Sequence, residues 1–205
     1  MFISSLNKKS LFILVLCLYN CIYNVQQKYP DLQMLKESSR IEPIKIDLHV
    51  DSLTIVNSKH SPSANATKYL NQRYESKMKE ELEGSGFFLC VNNTAEAFYR
   101  IDLKVIKSIE QNTFLWLLSG FTLLIIPQYS DSDLSFQLSV IDSSGTKVAF
   151  IETNEHSSYV AELFLLFYMP FDYPWIIGKA KMQEERLIRN AIQDIILQIK
   201  KNKQV

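Results

Sequence analysis

Asp47, His49 and Asp51, in the stretch "DLHVD", are of the types that bind metal ions or move protons. On an extended strand they share one face, but the outer pair then stands roughly 13 Å apart, too far for both to reach one ion. At best His49 and one aspartate contribute, with further ligands from elsewhere, and a solvated strand face is the simpler account. "ETNEH", ending at His156, reads as a similar weak cluster in a loop. Gly84-Ser85-Gly86 follow a helical pattern and precede a strand, the reverse of the order that cradles phosphate. Gly120 sits in no G-x-S-x-G elbow. Cys90 lies in an apolar strand pattern and reads as an inert core thiol. No serine is framed by a base. With no cluster of framed polar residues, the expectation is a protein with no catalytic residues, no metal and no cofactor, hence not an enzyme.

The whole chain narrows the class further. It has 205 residues, with 22 basic and 22 acidic side chains. That length holds one domain with a real core plus a targeting segment. The balance leaves no basic field, so no nucleic-acid partner is expected. Cys17, Cys21 and Cys90 are the three cysteines. If a leader is removed, at most two remain, too few for a disulfide framework. Asn65 and Asn92 begin glycosylation sequons that matter only in a eukaryotic source.

The elements that must position any site are legible as periodicities. Ile46, Leu48 and Val50 alternate with polar residues in a strand over 45–56, and the alternation slips at Ser52, which predicts a bulge or break. Residues 57–65 read as a loop. Leu70, Tyr74, Met78 and Leu82 recur at i+4 and predict a helix over 67–83, stopped by Gly84. Strands follow over 87–91 and through "EAFYRIDLKVIKSI", with Tyr99, Ile101, Leu103 and Val105 on one face. A hairpin then pairs Leu134–Val140 with Lys147–Glu152 around "DSSG". Leu187, Ile188, Ala191, Ile192, Ile195, Ile196 and Ile199 form the apolar face of a final helix over 179–200. The expected fold is α+β: a two-layer α/β sandwich over 44–205. Its sheet is mainly antiparallel, with two amphipathic helices on one face.

Two short hydrophobic inserts do not fit that sandwich. One spans 114–127, the other 159–171, trailing to Trp175, and they bracket the hairpin. As helices each would be about 20 Å long, short of the roughly 30 Å hydrocarbon core. They are either buried core or a pair of segments that dip into one leaflet or dock a partner. On the second reading Phe114, Trp116, Leu117, Phe121, Leu124, Phe164, Leu165, Phe167, Tyr168 and Trp175 make the contact, with the aromatics suited to an interfacial belt.

The N-terminus sets the location. Lys8-Lys9 precede the apolar run Leu11–Tyr19, followed by Asn20 and Cys21. A lasting span needs about 20 apolar residues, so this run is right for a signal peptide over 1–20 and short for an anchor helix. Leu18-Tyr19-Asn20-Cys21 resembles a bacterial lipobox, in the relaxed form of spirochaete lipoproteins, with Tyr19 and Asn20 bulkier than usual. The resemblance implies lipidation of Cys21 with acyl chains such as palmitate. An uncleaved anchor and a plain secreted protein are the alternatives. Several acyl chains would tether the domain permanently. Residues 21–43 then read as lipidated N-terminus and tether, or as an arm packed on the domain. The layout of "YRIDLKVI", "GFTLLIIP" and "VIDSSGTKVAF" is similar to small bacterial envelope lipoproteins of unassigned function. It implies an outer-membrane module that binds or scaffolds an envelope partner, as assembly or secretion accessories do. A pocket for an apolar ligand or lipid, lined by the inserts, is the alternative.

Overall fold

Alternating apolar residues commit three long strands to one sheet, β5 (Tyr99–Gln111), β6 (Gln128–Asp142) and β7 (Lys147–Ala161). The computed structural model describes residues 23–33, 42–60, 64–92, 94–121, 128–161 and 163–203, with the side chains of 23, 60, 64, 94, 161, 163–178 and 202–203 outside that description. Ile101, Leu103 and Val105 of β5 and Leu134, Phe136, Leu138 and Val140 of β6 all point into the core. The β6–β7 turn is fastened by Asp142, whose Oδ1 accepts from Ser144 N, Ser144 Oγ and Thr146 N. These bonds, Ser144's hydroxyl first, hold the Asp142 carboxyl below its usual range. Gly145 takes a φ of 83°, which a side chain would resist. The hairpin is longer than expected. Its ladder runs on to Gln128↔Ala161, absorbing Tyr159 to Ala161, which had been allotted to the second insert. Ladder hydrogen bonds are made by backbone, so an apolar run extends a strand without any change of period.

β2 (Ile44–Val56) lies parallel to β5 from Ile46↔Tyr99 to Val56↔Ile109 without a register shift. The bulge expected at Ser52 is absent. Ser52 simply occupies an inward position, buried, with its N–H and hydroxyl both donating to Asn71 Oδ1. A satisfied buried hydroxyl can hold an apolar site, which breaks the apolar pattern but not the strand. Asn57 and Ser58, both at positive φ, turn the chain back into β3 (Lys59–His60). Two positive-φ residues are what a tight hairpin requires. The short β4 (Phe88–Cys90) runs parallel to the start of β2. With β1 (Tyr23–Gln26) on the far edge, the order is β1-β7-β6-β5-β2-β3, and β4 also pairs with β2. Among the described residues four of the six pairings are antiparallel, so the sheet is mixed but mainly antiparallel.

Both amphipathic helices pack on the same face of this sheet. α1 (Ala64–Gly84) buries Tyr74, Met78 and Leu82, with Leu70 at the margin. Ser85 and Gly86, the latter at a φ of 71°, end it, with Ser85 N donating to Glu81 O. The last helix buries all seven apolar residues read from its sequence. Tyr74 meets Phe136 edge to face at 5.7 Å. Charged pairs close the seam between the helices: Arg73 with Glu184 at 2.6 Å and Arg189 with Glu81 at 2.9 Å. The fold is thus the α+β two-layer sandwich.

The inserts are resolved differently. The first begins as a short helix, α2 (Thr113–Phe121), and residues 122–127 lie outside the described residues. The second is no separate insert. From Leu163 it is the first half of one 41-residue helix, α3 (Leu163–Lys203), that continues into the core-packing half. Pro170, Pro174 and Gly178 lie within it. Prolines and glycines usually mark boundaries, but a proline lacking its N–H can also sit within a continuing helix. Of the segment 21–43 expected as a tether or packed arm, the described residues 23–33 lie on the domain: β1 pairs with β7 from Tyr23↔Tyr159 to Gln26↔His156.

Candidate functional site

Strand register brings several segments to one end of the sheet. β5 ends there at Gln111↔Ser130, β6 begins there at Gln128↔Ala161, and β7 ends there before α3. β1 begins at the same end, opposite Tyr159. Cys21 itself lies outside the described residues, two positions before Tyr23.

α2 occupies this end. Asn112 caps it, its Oδ1 accepting from Phe114 N and Leu115 N. Asn57 Nδ2 donates to Thr113 Oγ1, and Asn57 Oδ1 accepts from Gln111 N, so the β2–β3 turn braces the start of the helix. Thus positioned, α2 turns its apolar residues outward. Phe114 is 70% exposed and Phe121 85%, while Trp116, Leu117 and the neighbouring Tyr129 are about half exposed. A cavity of about 370 Å³ opens beside it, lined by Trp116, Leu117, Gly120, Phe121 and Gln128. Of the other residues expected in this contact, Leu124 lies outside the described residues. Phe164, Leu165, Phe167, Tyr168 and Trp175 fall on the first half of α3, where side chains are outside the description. No helix among the described residues is long and apolar enough to cross a membrane.

The open face of the sheet carries polar groups. Asp47, His49 and Asp51 lie along β2, and among the described residues no three or more His, Cys, Asp or Glu side chains are placed to hold one metal ion. His156 is not in a loop but on β7, directly opposite Asp133. Its Nδ1 lies 2.9 Å from Asp133 Oδ1, and its Nε2 3.5 Å from Asp131 Oδ1. Ser158 Oγ and Tyr129 Oη donate to Asp131 Oδ1 at 2.7 and 2.8 Å. These two bonds, Ser158's first, hold the Asp131 carboxyl below its usual range. Ser158 thus donates to a carboxylate rather than to the imidazole, which is not how an activated nucleophile is framed. Sequence spacing alone does not show this cluster, because strand pairing creates it.

A second unforeseen group sits on the helix-covered face, where the N-terminal arm docks. Arg186, 6% exposed, reaches Glu155 through Nε at 2.8 Å and Nη2 at 2.7 Å. Its Nη1 reaches Asp31 at 2.9 Å. Glu155 Oε1 also accepts from the backbone N–H of Lys28 and Tyr29, both at 3.3 Å. Asn190 Nδ2 donates to Pro30 O, and Lys28 Nζ to Asn154 Oδ1. Glu155's bond, ahead of the opposing cost of burial, raises the Arg186 pKa, so the guanidinium stays charged. The available sequence signal was Glu155 on the inward side of β7, in step with Ala149 and Ile151.

Cys90 packs against the core, and burial first, then Glu83, pushes its thiol up to about 11 against the pull of Lys79. From a starting value of 9.0 this cuts the thiolate fraction near pH 8 by roughly a hundredfold. Ellman's reagent is therefore expected to react slowly with folded Cys90 and fast after denaturation. Equal rates would show that the thiol is not shielded.

No family model matches the chain, and no curated protein matches it. Among solved structures, it is similar to a putative neuraminyllactose-binding hemagglutinin homolog from Helicobacter pylori. That likeness has 9% identity and a TM-score of 0.48, covering 87% of this chain and all of the other. It is also similar to a minor lipoprotein from Acinetobacter baumannii, at 14% identity and a TM-score of 0.35, covering 78% of this chain and 96% of the other. At such scores neither likeness carries an argument about what this chain does.

Proposed function

We propose that the chain is a lipid-anchored protein of a bacterial envelope, held on the outer membrane by acyl chains on Cys21. Its role is that of a structural or partner-binding module rather than an enzyme. The supporting observation is the convergence of three features on one end of the sheet: the arm that leads from Cys21, the outward apolar face of α2, and the start of α3. Exposed Phe114, Trp116, Leu117 and Phe121 make a patch that a bilayer interface or an envelope protein would cover. A second reading, a site for an apolar ligand, is favoured by the cavity beside α2. Cys21→Ser is expected to prevent acylation, and globomycin treatment of the producing cell to block removal of the leader, so that each leaves an unprocessed precursor of lower mobility. Unchanged mobility in both would sink the anchor reading. Native mass spectrometry of detergent-free protein reads the alternative, which requires a copurifying lipid.

A further inference from the structure

We propose that residues 23–33 form a rigid bracket that fixes how the domain stands on the bilayer and holds the outward face of α2 against it. This rests on the lipid-anchor reading. The first paired residue of β1, Tyr23, is only two positions after Cys21, a reach of at most about 7 Å. From there the chain has no slack. β1 is paired throughout, and the residues after it are pinned by Arg186, Glu155, Asn190 and Asn154. The pin is buried where it matters: the Glu155 side chain is fully covered and Arg186 nearly so.

The magnitudes separate a bracket from a tether. A flexible linker of about twenty residues has a root-mean-square span of roughly 25 Å and leaves a domain free to tumble. A link of about 7 Å running into a paired strand does not. β1 leaves the bilayer at the end of the sheet where α2 presents Phe114, Trp116 and Phe121. Anchorage at Cys21 therefore brings that face to the interface, and a stiff link raises its effective concentration there with no ordering left to be done on contact.

The experiment uses the lipidated protein carrying Trp175→Phe, which keeps an aromatic ring at a position read as part of the contact and leaves Trp116 the sole tryptophan. It is reconstituted in phosphatidylethanolamine–phosphatidylglycerol vesicles with brominated acyl chains. The parent is expected to co-float with the vesicles and to show quenched Trp116 emission. A Gly-Ser insertion of about twelve residues between Ile22 and Tyr23, which disturbs no described contact, is expected to co-float as well but to lose the quenching. Asp31→Ala, at an exposed carboxylate that cannot threaten the core, is expected to lose part of it. Undiminished quenching in the insertion variant, or an unquenched parent that still co-floats, overturns the bracket. Full quenching in Asp31→Ala, with loss in the insertion variant, overturns the role of the pin. A parent that fails to co-float overturns the anchor reading instead.

Discussion

Replacing Phe114 and Phe121 together with serine is expected to abolish insertion of α2 at a membrane interface while leaving the fold intact. The two rings are 70% and 85% exposed, so folding gains little from them. Burying an aromatic side chain of this size is worth about 1.5–3 kcal/mol. A pair buried to about half its area at the interface therefore contributes about 2 kcal/mol. That is roughly thirtyfold in the equilibrium between inserted and free α2. Trp116, between the two on the helix, reports the change as a red-shifted, unquenched emission in the Trp175→Phe background. Unfolding curves should superimpose on the parent's. If insertion is unaffected, the contact lies elsewhere on the molecule, and the apolar face of α2 covers something other than lipid.

The second large effect is on stability. Arg186→Met leaves the Glu155 carboxylate fully buried without its guanidinium partner. Removing one side of a buried pair typically costs about 3–5 kcal/mol, because the remaining charge keeps its desolvation penalty. That is a large share of the roughly 5–15 kcal/mol that holds a domain folded. The double replacement Arg186→Met with Glu155→Met should recover most of the loss, since an apolar pair of similar size needs no partner. Urea unfolding midpoints of the parent and the two variants are the measurement. A single replacement that costs under about 1 kcal/mol would mean that Glu155 is adequately held by the backbone N–H groups of Lys28 and Tyr29 alone.

Much of the sandwich was legible because burial imposes period. Every seam residue named for α3, from Leu187 to Ile199, is buried, and so is the stripe of α1 from Tyr74 to Leu82. The misreadings fall where period stops being informative. At Ser52 a hydroxyl satisfied by Asn71 took an inward place, so a straight strand looked broken. At Pro170 and Pro174 a usual boundary signal lay inside a helix. Along Tyr159–Ala161 an apolar run gave no sign of which ladder it would join.

What the sequence by itself determined was the local grammar: the long strands, the two amphipathic helices and which of their faces are apolar. Those properties follow from side-chain types a few residues apart. Only the tertiary structure decided what is brought together across the chain. The pairing of β6 with β7 sets His156 beside Asp133 and Asp131. The packing of α3 under β7 buries Arg186 against Glu155, more than thirty positions away, and catches Asp31 from the arm. The register of β1 on β7 puts the segment after Cys21 at the same end as α2. Contacts at such separations depend on strand register and helix docking, which the summed burial of the whole core selects and no short stretch encodes.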